Sequence, residues 1–287
     1  MQNLAEHRKG ILAVIAAALL WSTGGIFIKL ISLNALQLSC IRSIFAALVF
    51  MVLFKKKLLE VNGLTFLNAI FYAAILILFV IATKMTTAAN AIFLQYTAPI
   101  YVLFLEPLIN KTKYQLINVI TIIFCFIGMT LFFVGELSPG HMEGNIIALL
   151  SGVAFAAFLI GMRKNRPEYQ FSAIFYGNVM ISLVCLPSIF TIEFLPLSDF
   201  GMIVFLGIFQ IGLAYAVFSY GLKRVYAIEA SLISMIEPVL NPVWVFIGYG
   251  EVPAFLSIVG GIIIVTAISI RAFILESQSI QNKLRFK

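Results

Sequence analysis

Glu237 lies deep inside an apolar run, Tyr226 to Gly250, that is long enough to cross a bilayer and that also holds Pro238 and Pro242. An ionisable group at membrane depth costs roughly 2.5 kcal/mol or more and marks a functional site by default. On a continuous helix Ser234, Glu237, Asn241 and Gly248 share one face, because spacings of three, four and seven return to the same side. Each proline lacks an amide donor, so the carbonyls of Ser234 and Pro238 lose their usual partners and are free to meet water or a ligand. Packing kinks would explain the prolines alone; a carboxylate beside freed carbonyls points to a binding site. The chemistry it offers is capture of a cationic group or exchange of a proton.

Other polar or aromatic residues at membrane depth join it as candidates. Gln95 stands four residues before Pro99, so that proline frees the carbonyl of Gln95 in the same way. Trp21 shares a helical face with Gly25 and with the small residues Ala18 and Ser22 nearby. Gln210, Tyr215 and Ser219 place polarity where the matched stretch of the first half has Phe71, Leu76 and Val80, so the second half is expected to meet substrate polarity. Helix–helix hydrogen bonds and close packing are the alternative use of such residues. Tyr176 and Asn178 are weaker cavity candidates. Arg42, about two turns into its segment, is expected to snorkel outward or to pair across helices, and Glu106 and Glu229 to serve interfacial structure.

Catalytic alternatives find little support. The sequence has no HExxH, no phosphate-binding glycine loop with its lysine, and no cysteine pair at redox spacing. Cys40, Cys125 and Cys185 fall singly inside apolar segments and read as inert buried thiols. His7 falls in a charged N-terminal stretch and His141 in a loop, which leaves no histidine inside an apolar segment. The expectation is therefore no enzyme, no cofactor and no metal.

Membrane helices are expected to hold these residues in place. With 62% hydrophobic residues, 11% charged and a mean hydropathy of +1.08, the chain lies outside the soluble range. Ten apolar segments follow one another at about 11–30, 36–54, 64–83, 87–109, 116–134, 144–162, 172–192, 200–221, 227–249 and 254–275. A cytoplasmic N-terminus puts 16 of the 19 Lys and Arg on the inside, leaving Lys29 and Lys84 outside and Arg42 within a segment. That bias predicts ten crossings with both termini in the cytoplasm. It also accounts for the net charge of +7 without nucleic acid.

The sequence repeats itself weakly. A shift of 134 places Gly10 on Gly144, Trp21 on Phe155 and Lys29 on Arg163; a shift of 139 places Lys84 on Lys223 and Pro99 on Pro238. Two repeats, 1–139 and 140–287, of five helices each would enter the membrane from opposite sides. An all-α membrane fold of ten helices in two inverted repeats predicts a shared central site and alternating access.

Four stretches carry a resemblance to a known family: Leu20-Trp21-Ser22-Thr23-Gly24 in the first segment, Ile41-Arg42-Ser43 in the second, Glu237-Pro238 with Gly250-Glu251 around the ninth, and Gly260-Gly261 in the tenth. In order and spacing they resemble the ten-helix EamA group of the drug/metabolite transporter superfamily. The resemblance implies a secondary transporter of a small metabolite in the cytoplasmic membrane, with export of amino-acid-like or amphipathic compounds as the first expectation. Uptake or exchange, and beyond them a channel or a membrane-embedded enzyme, are the alternatives. The halves differ, since Ala98 and Thr112 stand where the second repeat has Glu237 and Glu251. Related small exporters use a glutamate in their first helix, where this chain has Ser22 and Thr23. Their proton exchange is not carried over, so a proton is only a candidate coupling ion, and monomer and homodimer both stay open.

Overall fold

In the computed structural model, which describes residues 4–86, 88–111, 113, 115–132, 142–249 and 255–285, every regular element among the described residues is helical. A bilayer leaves no other choice for an open chain, because backbone polar groups in hydrocarbon must be satisfied within their own segment. The main helices are α1 (Leu4–Trp21), α2 (Gly24–Leu30), α3 (Ala35–Phe54), α4 (Gly63–Met85), α5 (Ala88–Gln95), α6 (Ala98–Asn110) and α7 (Leu116–Phe132). They continue with α8 (Met142–Lys164), α9 (Gln170–Ile189), α10 (Leu197–Phe205), α11 (Ala214–Leu222), α12 (Ala227–Ser234), α13 (Ile236–Tyr249) and α14 (Phe255–Arg285). A π-helical stretch, Leu206–Leu213, joins α10 to α11.

Helix occupies all ten apolar segments, and eight of the resulting stretches are long and apolar enough to cross a membrane. Leu116–Leu131 is apolar but shorter, and the ninth segment is divided between α12 and α13. Local sequence sets several ends. Asn34 and Asn62 each close a capping box, with Gln37 and Thr65 respectively, at the starts of α3 and α4. Helix α1 begins well before residue 11, taking in the charged stretch with His7. Its early residues have partners across the molecule: Glu6 accepts from Arg224 at 2.8 Å and His7 meets Glu229 at 2.8 Å.

Helices of the first half pack chiefly on helices of the second. Helix α4 lies on α8 and α9, α3 on α9 and the π-helical stretch, α1 on α11, α7 on α14, and α5 and α6 on α8. Small residues let the backbones approach. A Cβ added to Gly10 would sit 2.6 Å from the Arg224 Cβ, and one added to Gly152 would sit 2.8 Å from the Gln95 carbonyl oxygen. Large apolar side chains such as Leu12, Val52, Leu108, Val184 and Phe273 are exposed, while Arg42, Asn68, Glu106, Asn178, Glu229 and Arg271 are buried. This inside-out polarity suits hydrocarbon outside and a polar interior.

Candidate functional site

The site is built where helices break. The first apolar segment is interrupted at Ser22 and Thr23, whose hydroxyls donate back to the carbonyls of Leu19 and Leu20 at 2.7 Å each, with Gly24 and Gly25 following. The fourth is interrupted at Tyr96 and Thr97, three residues and two residues before Pro99, and the ninth at Met235, three residues before Pro238. Both prolines then sit in the first turn of the helix that follows, where a missing amide donor costs nothing. The two proline breaks occupy corresponding positions, since 96 and 235 differ by 139.

Helix α13 connects two of these breaks. The Tyr96 hydroxyl donates to the Glu237 carboxylate at 2.5 Å, a charge-assisted distance, and the Trp244 indole N–H donates to the Ser22 hydroxyl at 2.7 Å. Glu237 and Trp244 are seven residues apart and so share a face of α13. Tyr96 is fully buried, whereas Glu237 keeps accessible surface. The carboxylate is thus held by the tyrosine on a residue that is not fully enclosed.

Beside it lies an aromatic cluster. The Trp21 ring is 4.8 Å from both Tyr215 and Phe218, and Tyr215 meets Tyr72 edge-on at 4.7 Å. The Tyr72 hydroxyl accepts from the Asn178 side chain at 3.0 Å. Tyr215 lies within the electrostatic reach of both Glu237 and Arg42. Of the residues singled out from sequence, Glu237, Trp21 and Tyr215 therefore come into one neighbourhood. Gln210 belongs to the first break, its amide so close to Gly24 that a Cβ there would lie 2.6 Å from Nε2.

Other expectations are corrected. Met235 breaks the ninth segment, so Ser234 ends α12 and does not share a helical face with Glu237; its hydroxyl turns back to the Ala230 carbonyl at 2.8 Å. The break at Ser22 likewise parts Trp21 from Gly25. Gln95 donates to Ser151 at 2.7 Å, and its carbonyl, freed by Pro99, faces Gly152 of α8, so both groups serve helix packing. Arg42 does not snorkel: it is 1% exposed and pairs across to the Leu76 carbonyl at 3.1 Å, the second of its two expected uses. Tyr176 packs on Phe66. The Asn241 side chain lies outside the described residues, as do Thr112, His141, Gly250 and Glu251.

Sequence reasoning missed Tyr96, Tyr72 and Trp244, whose roles arise only from contacts between distant segments. It placed Glu106 and Glu229 in interfacial structure, and their partners are now defined. The Glu106 carboxylate accepts from the Ala227 and Ile228 amides at 2.9 and 2.8 Å, capping α12 from α6. Glu229 is buried with Arg271 at 3.4 Å and His7 at 2.8 Å, and Arg271 donates to Asn118 at 2.8 Å. At the opposite end of the bundle Asp199, in the first turn of α10, accepts from the Ser32 amide and hydroxyl at 2.8 and 2.6 Å.

Comparison with known proteins agrees with this architecture. The chain is 23% identical over 267 residues to an uncharacterized transporter of Archaeoglobus fulgidus, covering 92% of this chain and 96% of that one. It is 27% identical over 234 residues to the uncharacterized transporter YdfC of Bacillus subtilis, covering 77% of this chain and 75% of that protein. A solved crystal structure superposes with a TM-score of 0.80 at 16% identity, covering 93% of this chain and 98% of that one, which bears on fold alone. The model of the EamA-like transporter family matches twice, over residues 8–134 and 142–272, so this multi-pass membrane protein belongs to the EamA-like transporter family.

Proposed function

We propose that the protein is a secondary carrier that moves a small metabolite across the cytoplasmic membrane by alternating access. Its ten helices form two inverted repeats, 1–139 and 140–287, with both termini in the cytoplasm. The observation that carries this reading is the bridge made by α13, whose Glu237 and Trp244 hold two broken helices at Tyr96 and Ser22. Interrupted helices meeting at a shared site suit a carrier, whereas a channel would favour a continuous pore lined by like groups. The corresponding proline breaks and the cross-packing of the halves support the inverted repeat.

Glu237, held by Tyr96, supplies the negative charge of the site, with Asn241, Ser234, Gln95, Trp21, Gln210 and Tyr215 around it as the candidate cavity set. Of these, Ser234 and Gln95 are already engaged with neighbouring helices and rank below the others. The first substrate class is an amino-acid-like or amphipathic compound with an amine, moved outward, and a proton is the candidate coupling ion at the same carboxylate.

Glu237→Gln tests the assignment, because it keeps size and a hydrogen-bond acceptor for Tyr96 while removing charge. In vesicles containing purified protein, saturable uptake of labelled phenylalanine or phenethylamine should fall by about tenfold or more, the equivalent of one charge-assisted hydrogen bond. Transport and pH profile unchanged in this variant would remove Glu237 from the site. Uptake without saturation or stimulation from the opposite side would favour a channel.

A further inference from the structure

Arg42 is the largest fully buried side chain among the described residues, at 1% exposure. It lies eight residues past the Asn34 cap of α3, about 12 Å along the helix and so well inside the hydrocarbon. Among the described residues its one hydrogen bond runs from Nη2 to the Leu76 carbonyl at 3.1 Å, and Nε has no partner. No carboxylate among the described residues pairs with it, in contrast to Arg271, which has Glu229. A guanidinium carries five donors, and a buried cation without a countercharge is strongly unfavourable. A structural role does not account for it.

The groups around Arg42 offer donors in excess. Tyr72 and Tyr215 are close enough to sense its charge, as is the Cys185 thiol. The Tyr72 oxygen already accepts from Asn178, which leaves its own proton to give. Tyr215 packs on Trp21, whose indole N–H is buried and unpartnered. The backbone at Arg42 packs directly on the π-helical stretch: a Cβ at Gly207 would lie 2.6 Å from the Arg42 carbonyl oxygen. Helix irregularities of this kind recur at functional sites.

We infer that Arg42 is the anion-binding residue of the transport site, and that the substrates are carboxylates whose amine end, when present, faces Glu237 across the Trp21–Tyr72–Tyr215 cluster. The inference rests on the carrier proposed above and names what its site selects. A forked guanidinium matches a carboxylate in two parallel bonds, and the rings between the two charges suit an apolar or aromatic middle.

The test uses purified full-length protein in detergent, with thermal unfolding followed against benzoate as an anion probe and benzylamine as a cation probe. Benzoate should raise Tm of the wild type and of Glu237→Gln but not of Arg42→Gln. Benzylamine should do the reverse, shifting wild type and Arg42→Gln but not Glu237→Gln. Without probe, Arg42→Gln should unfold at the wild-type temperature or above it, because an uncompensated buried charge has been removed, whereas a structural arginine would leave the variant less stable. Arg42→Lys keeps the charge but not the fork and should bind benzoate about tenfold more weakly than the wild type. No benzoate shift in the wild type, equal shifts in wild type and the Arg42 variants, or destabilisation of probe-free Arg42→Gln would each overturn the assignment. Loss of only the benzylamine arm would instead count against Glu237 and leave Arg42 in place.

Discussion

Replacing Glu106 removes the cap of a helix to which it is not attached in sequence. The carboxylate on α6 accepts two backbone N–H groups at the start of α12, at 2.9 and 2.8 Å, and all of these groups are buried. Orphaning a buried amide costs about 1–3 kcal/mol, so losing the acceptor of both amides in Glu106→Ala should cost about 4 kcal/mol, with the relief of a buried charge offsetting the lost helix-dipole attraction. Glu106→Gln keeps one acceptor without the charge and should lose about 2 kcal/mol. Equilibrium unfolding in mixed micelles of rising dodecyl sulfate fraction, read by the fluorescence of Trp21 and Trp244, gives the ranking directly. Amide exchange at Ala227 and Ile228 should quicken in both variants. If both variants fell within about 0.5 kcal/mol of the wild type, the cap would be an incidental contact and the reasoning would fail.

Two further outcomes follow from charged groups elsewhere. The Lys223 ammonium stands 4.0 Å over the Phe171 ring, and burial, helped by Lys57 and Arg224, pushes its pKa down to about 8. The folded protein releases that proton near pH 8 while the unfolded chain holds it to a higher pH, so stability should rise with pH through this window, and Lys223→Met should flatten the rise in a thermal-unfolding series. For the buried pair at 3.4 Å, Glu229→Gln and Arg271→Met should each cost about 3–5 kcal/mol, while the double variant should recover much of the loss; additive single effects in a double-mutant cycle would refute the coupling.

The apolar segments and the exceptional carboxylate were legible because each is written in consecutive residues. Pro99 and Pro238 marked the broken helices, and the breaks fall one residue after the carbonyls of Gln95 and Ser234 that a four-residue count frees, at Tyr96 and Met235, since a proline is tolerated once the next helix has begun just before it. The first break had no proline to announce it and came from hydroxyls folding back at Ser22 and Thr23. Tyr96 could not be read as the partner of Glu237, because 141 residues separate them and a tyrosine in an apolar run carries no local signal. For Arg42 the sequence left snorkelling and pairing across helices both open for a related reason: depth along a helix can be counted from sequence, but whether neighbouring helices close off its route to the surface cannot.

The interleaving of the two halves has a consequence for how the protein is made. Translation delivers α1 to α7 into the bilayer before their counterparts exist, yet Glu106 meets the Ala227 and Ile228 amides, and Arg42 and Asn68 their close neighbours Gly207 and Gly161, only when α8 to α14 have arrived. The contact of His7 with Glu229 spans 222 positions and that of Glu6 with Arg224 spans 218, so the first helix waits for nearly the whole ribosomal transit before it is secured. A nascent first half therefore sits in lipid with its polar interior uncovered, the state a membrane chaperone or insertase would recognise. The smallest unit able to hide those groups is both halves together, and two co-synthesised half-chains satisfy that condition where either one alone does not.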